Sequence, residues 1–234
     1  FNILENMRLY CPRAKLAYLS TNKVYGDRPN FLNLEEKEKR YEPSKRNKYY
    51  KKGIDETMNI DNCKHSLFGA SKLSADIYCQ EYFKYFNLKV GIFRGGCLTG
   101  PLHQGAELHG FLNYLIKAAK EKKVYKIFGY KGKQVRDNIH SADVVSALWN
   151  FYKTKNNSGV YNIGGGRNNS CSILEVADIL KRKYKIRLKY KIMKPNRIGD
   201  HKWYISDMKK FKKKHKQWKI KRNLNQIIAE MIKN

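Results

Sequence analysis

Two short apolar runs on either side of a long helical segment constrain the fold of this chain most strongly. Residues 16–20 (LAYLS) and 89–94 (KVGIFR) lack polar alternation, which is typical of strands buried on both faces of a parallel sheet. Between them, residues 66–86 repeat apolar side chains at i, i+3 and i+4, which predicts a helix. Strand, helix and strand in this order predict a right-handed crossover within a parallel sheet.

The rest of the chain continues the alternation of helices and strands. The patterns predict helices over residues 2–10, 107–122, 141–152, 172–184 and 223–233, and strands over 124–128 and 160–163. Ser141 is the expected N-cap of its helix, and Ser172 with Glu175 has the spacing of a capping box. Residues 27–64 form a polar segment too long for an idle connection, so we expect it to line a site.

Composition excludes several classes of protein. With 41% hydrophobic residues the chain is not of the disordered class, and no apolar run approaches the ~18 residues that span a bilayer. Five cysteines without a C-x-x-C pair predict neither a disulfide framework nor a zinc site, and a reducing cytoplasm is the expected location. We therefore predict a globular protein with no metal and no membrane partner.

The net charge of +29 leaves two interpretations open. Lysine and arginine are densest over residues 181–222, where Trp203, Tyr204, Phe211 and Trp218 are interleaved with them, as on a nucleic-acid-binding surface. Lysines also crowd most other predicted helices and loops, so a solvated surface is the favoured interpretation. Either way, so much positive charge attracts phosphates in general.

The stretch at residues 65–72 (HSLFGASK) carries the clearest chemistry. Phe68 and Lys72 are four residues apart, so their side chains fall on one helix face, one turn apart. A tyrosine at position 68 would have its pKa lowered by the lysine ammonium and could take a proton from a sugar hydroxyl. Phe68 has no hydroxyl.

Five ordered motifs resemble one family. They are residues 20–26 (STNKVYG), 65–72 (HSLFGASK), 132–143 (GKQVRDNIHSAD), 161–166 (YNIGGG) and 197–200 (RIGD). The chain is similar along its whole length to the extended short-chain dehydrogenase/reductases, the NAD-dependent nucleotide-sugar epimerases and dehydratases. Its sequence most resembles those of the CDP-paratose (tyvelose) 2-epimerase-like members. This resemblance implies oxidation, rotation and reduction at a sugar carbon, with NAD as the cofactor.

The resemblance also implies the fold. We expect an α/β protein containing the C-terminal part of a Rossmann-like parallel sheet and a small α+β substrate-binding domain. Residues 1–101, with 159–166 returning as a further strand, would belong to the partial Rossmann-like domain. Residues 102–158 and 167–234 would form the nucleotide-sugar-binding domain.

Site residues follow from the matched motifs. The resemblance implies that Thr21 orients the reacting hydroxyl, that Lys72 holds the nicotinamide ribose and that Phe68 stands at the usual tyrosine position. Ser20, Lys72 and Arg94 are the expected cofactor-binding residues. The expected substrate-binding residues are Cys97, His103, Glu107, His109, Arg136 and Arg197. His65 is a candidate substitute base, and the aspartates at 137, 143, 200 and 207 are expected to act as caps and scaffolding.

The glycine-rich pyrophosphate turn of the family is absent from these residues. Gly164–Gly166 follows a strand but lacks the G-x-G-x-x-G spacing. We therefore expect the C-terminal portion of an epimerase: a truncated or decayed copy, or one subunit of a split enzyme with a separately encoded N-terminal half. The expected ligand is a nucleotide sugar, CDP-linked by the resemblance. A homo-oligomer is compatible with the sequence, and an inactive fragment or a basic nucleic-acid-binding protein is the alternative.

Overall fold

The computed structural model describes residues 1–107, 109–155, 158–194 and 199–234. The described α-helices are α1 (Asn2–Tyr10), α2 (Leu67–Tyr85), α3 (Phe111–Lys120), α4 (Ser141–Lys153), α5 (Ile173–Tyr184), α6 (Lys209–Lys214) and α7 (Leu224–Lys233). The described strands are β1 (Lys15–Thr21), β2 (Leu34–Glu36), β3 (Tyr41–Pro43), β4 (Lys89–Gly95), β5 (Cys97–Thr99), β6 (Val124–Phe128), β7 (Val135–His140), β8 (Gly159–Ile163), β9 (Ser170–Ser172), β10 (Lys189–Met193) and β11 (Trp203–Tyr204).

The first sheet is parallel and has the order β1-β4-β8. Leu16 lies opposite Val90, and Phe93 lies opposite Tyr161. The predicted strand–helix–strand unit in a parallel sheet is confirmed, since α2 connects β1 to its parallel neighbour β4. The strand at 159–163 joins this sheet beside β4 although it follows far along the chain.

Helices cover both faces of the first sheet. On one face, Cys79 and Tyr82 of α2 join Val90 and Ile92 of β4 in a buried cluster with α1. On the other face, Phe151 of α4 packs edge-on against Phe93, with the ring centroids 5.5 Å apart. Burial on both faces is the physical reason why these strands are apolar without alternation.

A second region packs beside the first. β5 and β7 are parallel, β9 and β11 also pair with β7, and β6 pairs with β10. Leu115, Ile127, Val176 and Ile227 meet in its buried core, which joins helices α3, α5 and α7. The domain boundary at residues 101 and 102 stays a prediction.

Three local expectations were wrong. The helix expected from 107 starts at Phe111, because Gly110 takes φ +68° and Ala106 and His109 form a β-bridge before it. The N-cap of α4 is His140 instead of Ser141: its Nδ1 accepts a hydrogen bond from the Ala142 N–H at 3.0 Å. The capping box at Ser172 and Glu175 is confirmed.

The third wrong expectation concerns the polar segment 27–64, which does not line the candidate-site cleft. It folds back through the antiparallel β2–β3 hairpin. Tyr49, Ile54 and Met58 are buried with Val24 and Trp203, so this segment forms part of a hydrophobic core.

No helix in the described ranges combines the length and the apolar character needed to cross a bilayer.

Candidate active site

A cleft of about 820 Å³ opens at the carboxyl ends of β1 and β4. In parallel sheets this end collects ligand-binding side chains. Nine of the predicted catalytic, cofactor-binding and substrate-binding residues line it: Ser20, Thr21, Phe68, Lys72, Cys97, His103, Glu107, His109 and Arg136. Segments that are distant in the chain therefore converge on one space.

The end of β1 supplies two hydroxyls. Thr21 Oγ1 accepts a hydrogen bond from the Lys23 N–H at 3.2 Å and thereby caps the short 3₁₀ turn that follows the strand. Ser20 Oγ donates to Asp76 Oδ2 at 2.6 Å. The turn ends at Gly26, whose φ of +54° and whose close approach to Cys63 exclude a larger residue. The STNKVYG motif is thus a strand end followed by a tight turn.

Helix α2 begins at the cleft. Ser66 caps it by accepting a hydrogen bond from the Gly69 N–H at 3.1 Å. Phe68 and Lys72 both face the cleft from adjacent turns, and Phe68 is 58% exposed. Lys72 Nζ donates to the Leu19 carbonyl at 2.6 Å and lies 4.4 Å from the centroid of the Tyr18 ring. The lysine side chain is therefore directed to the end of β1.

A cluster of charges lines the cleft beside the start of α2. Arg136 of β7 pairs with the Asp200 carboxylate, and Lys23 Nζ lies 3.4 Å from the same carboxylate. Lys23 also donates to the Gly199 carbonyl at 2.8 Å. Burial opposes ionisation of Asp200, but the charges of Arg136 and Lys23 outweigh it and hold the pKa of Asp200 below its usual range.

Lys23 is the residue that the motif analysis missed. Burial lowers the pKa of its amine to about 8, although Asp200 acts in the opposite direction. The available signal was its position two residues after Thr21, at the carboxyl end of a buried parallel strand. Residues at such strand ends face the ligand crevice of open α/β sheets.

The segment between β5 and α3 forms the far wall. The His103 and His109 rings meet edge-on with centroids 5.9 Å apart, and Glu107 pairs with Lys126 at 3.0 Å. Burial, followed by the charge of His109, lowers the pKa of His103. Burial raises the pKa of the Cys97 thiol to about 12, so this thiol is a neutral wall residue.

Two candidates do not line the cleft, and a third lies outside the described residues. Arg94 is buried, with Nε and Nη2 each 3.0 Å from the Asp76 carboxylate and Nη1 3.2 Å from the Tyr25 hydroxyl. The His65 ring contacts the Val24 carbonyl at 2.8 Å, away from the cleft. The prediction for Arg197 falls outside the described residues.

The other aspartates hold the backbone together, as expected. Asp137 Oδ2 accepts hydrogen bonds from the Gly166 and Ser206 N–H groups at 2.9 and 3.0 Å. The Asp143 carboxylate accepts from the Lys221 and Arg222 N–H groups at 3.1 Å. Asp207 and Asp200 differ: Asp207 Oδ1 accepts a hydrogen bond from the Lys209 N–H at 2.7 Å at the start of α6, whereas Asp200 faces the cleft.

The aromatic residues of the basic segment belong to the core. Trp203, Tyr204, Phe211 and Trp218 are all at most 3% exposed. Nucleic-acid surfaces that bind single strands need aromatic faces on which bases stack. The interleaving that suggested such a surface arises from a lysine-rich exterior over buried rings.

Comparisons with known proteins give the family and the fold of this chain. Residues 1–164 match the model of the NAD dependent epimerase/dehydratase family. The CDP-paratose 2-epimerase of Salmonella typhi is 34% identical over 219 residues, which cover 89% of this chain and 61% of that protein. A variant UDP-glucuronic acid 4-epimerase from Bacillus cereus, solved with a fluorinated UDP-sugar and NAD, superposes with a TM-score of 0.76 at 25% identity.

That superposition covers 99% of this chain and 64% of the Bacillus protein. The UDP-glucose 4-epimerase of Thermus thermophilus, solved with NAD, gives a TM-score of 0.77 at 20% identity over 99% of this chain and 67% of that one. The fold is therefore the Rossmann-like α/β fold that was expected. The chain spans less than two thirds of the length of the Salmonella relative.

Proposed function

The chain belongs to the NAD-dependent epimerase/dehydratase family, and we propose that it forms the sugar-binding and proton-transfer part of a nucleotide-sugar epimerase. One observation carries the proposal: Thr21, Lys72 and Arg136 come from three separate motifs and line one cleft. A hydroxyl, an ammonium and a guanidinium in one space suit a ligand that combines sugar hydroxyls with a diphosphate.

A CDP-linked sugar is the proposed substrate class, with epimerisation at C2. The similarity to the Salmonella CDP-paratose 2-epimerase supports this choice over UDP-sugars. The cations that line the cleft, Lys23, Lys72, Lys126 and Arg136, outnumber the carboxylates Glu107 and Asp200 and would attract the diphosphate. In this proposal Arg136 and Arg197 hold the phosphates, and Cys97, His103, Glu107 and His109 surround the sugar.

The residues of this chain fit one end of NAD. Ser20, Thr21 and Lys72 place two hydroxyls and an ammonium at the end of β1, where the nicotinamide ribose would lie. We propose a positioning role for Arg94, since it fixes the Asp76 carboxylate that accepts a hydrogen bond from the Ser20 hydroxyl. Bound NAD would supply a hydride acceptor and donor for the sugar carbon.

The residues of the chain then have distinct tasks. Thr21 orients the reacting hydroxyl, and Lys72 holds the ribose and adds positive charge. Phe68 contributes an apolar face at the position where the family motif has a tyrosine. Arg136, paired to Asp200, presents a fixed guanidinium to the phosphates, which limits the motion of the sugar relative to Thr21.

A glycine-rich pyrophosphate turn is absent from the 234 residues. We propose that a second segment, in the same polypeptide or separately encoded, provides it. β1 pairs only with β4 among the described residues, so its other edge is free for a further strand to join. A chain that never meets such a segment would be an inactive remnant.

An isotope experiment tests the proposed reaction. The chain is combined with a segment that carries the pyrophosphate turn, NAD and a CDP-linked 2-hydroxy sugar in D₂O, and the epimers are separated and analysed by mass spectrometry. Because hydride leaves and returns without exchange, the epimer should carry no deuterium at the inverted carbon. Deuterium at that carbon would indicate deprotonation of the carbon and would contradict the proposal; an absence of any epimer would favour the inactive remnant.

A further inference from the structure

Lys23 lines the cleft, but neither the family motifs nor the proposed reaction gives it a part in proton transfer. Its Nζ lines the same space as Thr21 and Phe68, and only 26% of its side chain is exposed. Its backbone packs against the start of α2, where a Cβ on Gly69 would lie 2.9 Å from the Lys23 carbonyl. The amine is thus held between the HSLFGASK helix and the Gly199–Asp200 segment.

The hydrogen bonds of Lys23 leave one position on the nitrogen for a ligand. A neutral amine keeps a donor for the Gly199 carbonyl at 2.8 Å and a lone pair that can accept a proton. Asp200 does not require the charge of Lys23, because Arg136 pairs with the same carboxylate. Loss of the lysine proton therefore leaves no buried carboxylate without a cation.

Burial favours the neutral form of Lys23, and the ionisable groups around it act in both directions. The charge of Arg136 from β7 also lowers the pKa of Lys23, whereas Asp200, which follows Gly199, and the Cys97 thiol from β5 raise it. His201 is held neutral, since burial and the neighbouring cations keep its pKa well below the usual range. Burial lowers the pKa of Lys23 to about 8, close to the operating pH that general acid–base catalysis requires.

We propose that Lys23 Nζ is the proton acceptor and donor of the sugar oxidation and reduction, in the role for which Phe68 lacks a hydroxyl. The inference rests on the proposed function. In the oxidative half, the O–H and C–H bonds at one sugar carbon break: the proton goes to the Lys23 amine, the hydride goes to the nicotinamide dinucleotide as oxidant, and a C=O bond forms. In the reductive half the hydride returns to the opposite face of the carbon, and the Lys23 ammonium returns its proton to the oxygen.

Titration of Lys23 by NMR tests the proposal directly on the chain itself. The protein is labelled with ¹³Cε-lysine, and the Lys23 resonance is identified by its loss in Lys23→Arg, which keeps a cation beside Asp200 but cannot release its proton. Lys213→Arg, at an exposed position of α6, is the matched control for assignment. We expect a midpoint near 8 for Lys23, roughly two pH units below the ~10.4 of ordinary lysines.

The second arm adds CDP-glucose as a probe, with its binding followed separately by calorimetry. The Lys23 resonance and its midpoint should shift when the probe binds. A Lys23 midpoint above about 10 in the free chain, or an unchanged Lys23 resonance while calorimetry records binding, would overturn the proposal. A midpoint near 8 with no binding of CDP-glucose or UDP-glucose would instead contradict the proposed function while supporting the unusual acidity of Lys23.

Discussion

Asp200 touches two cations at the cleft: its Oδ1 pairs with the Arg136 guanidinium and lies 3.4 Å from Lys23 Nζ. The carboxylate thereby joins β7, which carries Arg136, to the turn after β1, which carries Lys23. Gly199, with φ +74°, brings this carboxylate against the start of α2, where a Cβ would lie 3.3 Å from Ser66 Cβ. Three segments of the candidate site are organised around one charged side chain.

Removal of this charge should destabilise the fold in a pH-dependent way. Asp200→Asn leaves Arg136 and Lys23 without their carboxylate, so we expect a loss of roughly 3–5 kcal/mol in the free energy of unfolding at pH 7, measured by urea unfolding. Because the folded pKa of Asp200 is depressed, its contribution is present above about pH 4 and is lost as pH falls toward the folded pKa. The difference between wild type and variant should therefore shrink in acid. Asp61→Asn, at an exposed aspartate, should cost little at either pH.

The buried Arg94–Asp76 pair offers a separate test of positioning. Asp76→Leu leaves the Arg94 guanidinium buried without its carboxylate, and we expect it to lower the unfolding free energy by roughly 3–5 kcal/mol. The double variant Asp76→Leu, Arg94→Met removes both charges and should recover most of that loss. A double variant no more stable than Asp76→Leu alone would show that the pair does not act as a unit.

Substitution at position 68 distinguishes the two possible bases. If Lys23 transfers the proton, Phe68→Tyr in a complete, NAD-loaded enzyme should change turnover by less than about tenfold, whereas Lys23→Arg should lower it by roughly 100-fold or more. Thr21→Ala and Lys72→Ala should also abolish most activity. A rise of orders of magnitude in Phe68→Tyr would show instead that a lost phenol limits the reaction.

NAD binding should depend on a segment beyond these residues. The chain presents groups for one end of the cofactor but no glycine-rich turn for the pyrophosphate, so calorimetry with NAD and the isolated chain should give no measurable heat of specific binding. Addition of a segment with that turn should restore binding. Micromolar affinity of the chain alone would contradict this division of the site.

The sequence was informative where local pattern and tertiary structure agree. Residues 16–20 and 89–94 could be recognised as parallel strands because burial on both faces removes polar alternation, and Phe68 and Lys72 share a face because a helix repeats every 3.6 residues. It was less informative where tertiary contacts decide. The 27–64 segment reads as polar but packs Ile54 into a core, and Trp218 looks like a surface aromatic among lysines yet is buried.

Lys23 is a site residue whose burial could not be predicted from local sequence. A lysine in a short turn has no periodicity that marks it as buried, and its environment depends on Arg136 and Asp200, more than a hundred residues away in the chain. Arg94 failed as a cleft residue for the converse reason. Its strand position was predicted correctly, but its guanidinium is buried and pairs with Asp76 of α2.

Direct measurement of nucleotide-sugar binding tests the central claim most sharply. Isothermal calorimetry of CDP-glucose with the chain should give one-site binding, and Arg136→Gln should weaken it roughly ten- to a hundredfold, because a charged hydrogen bond to phosphate is lost. Arg182→Gln, at an arginine whose side chain is 77% exposed and does not line the cleft, is the matched control and should bind as wild type. Absence of binding, or equal affinity in wild type and Arg136→Gln, would contradict the assignment of this cleft as a nucleotide-sugar site.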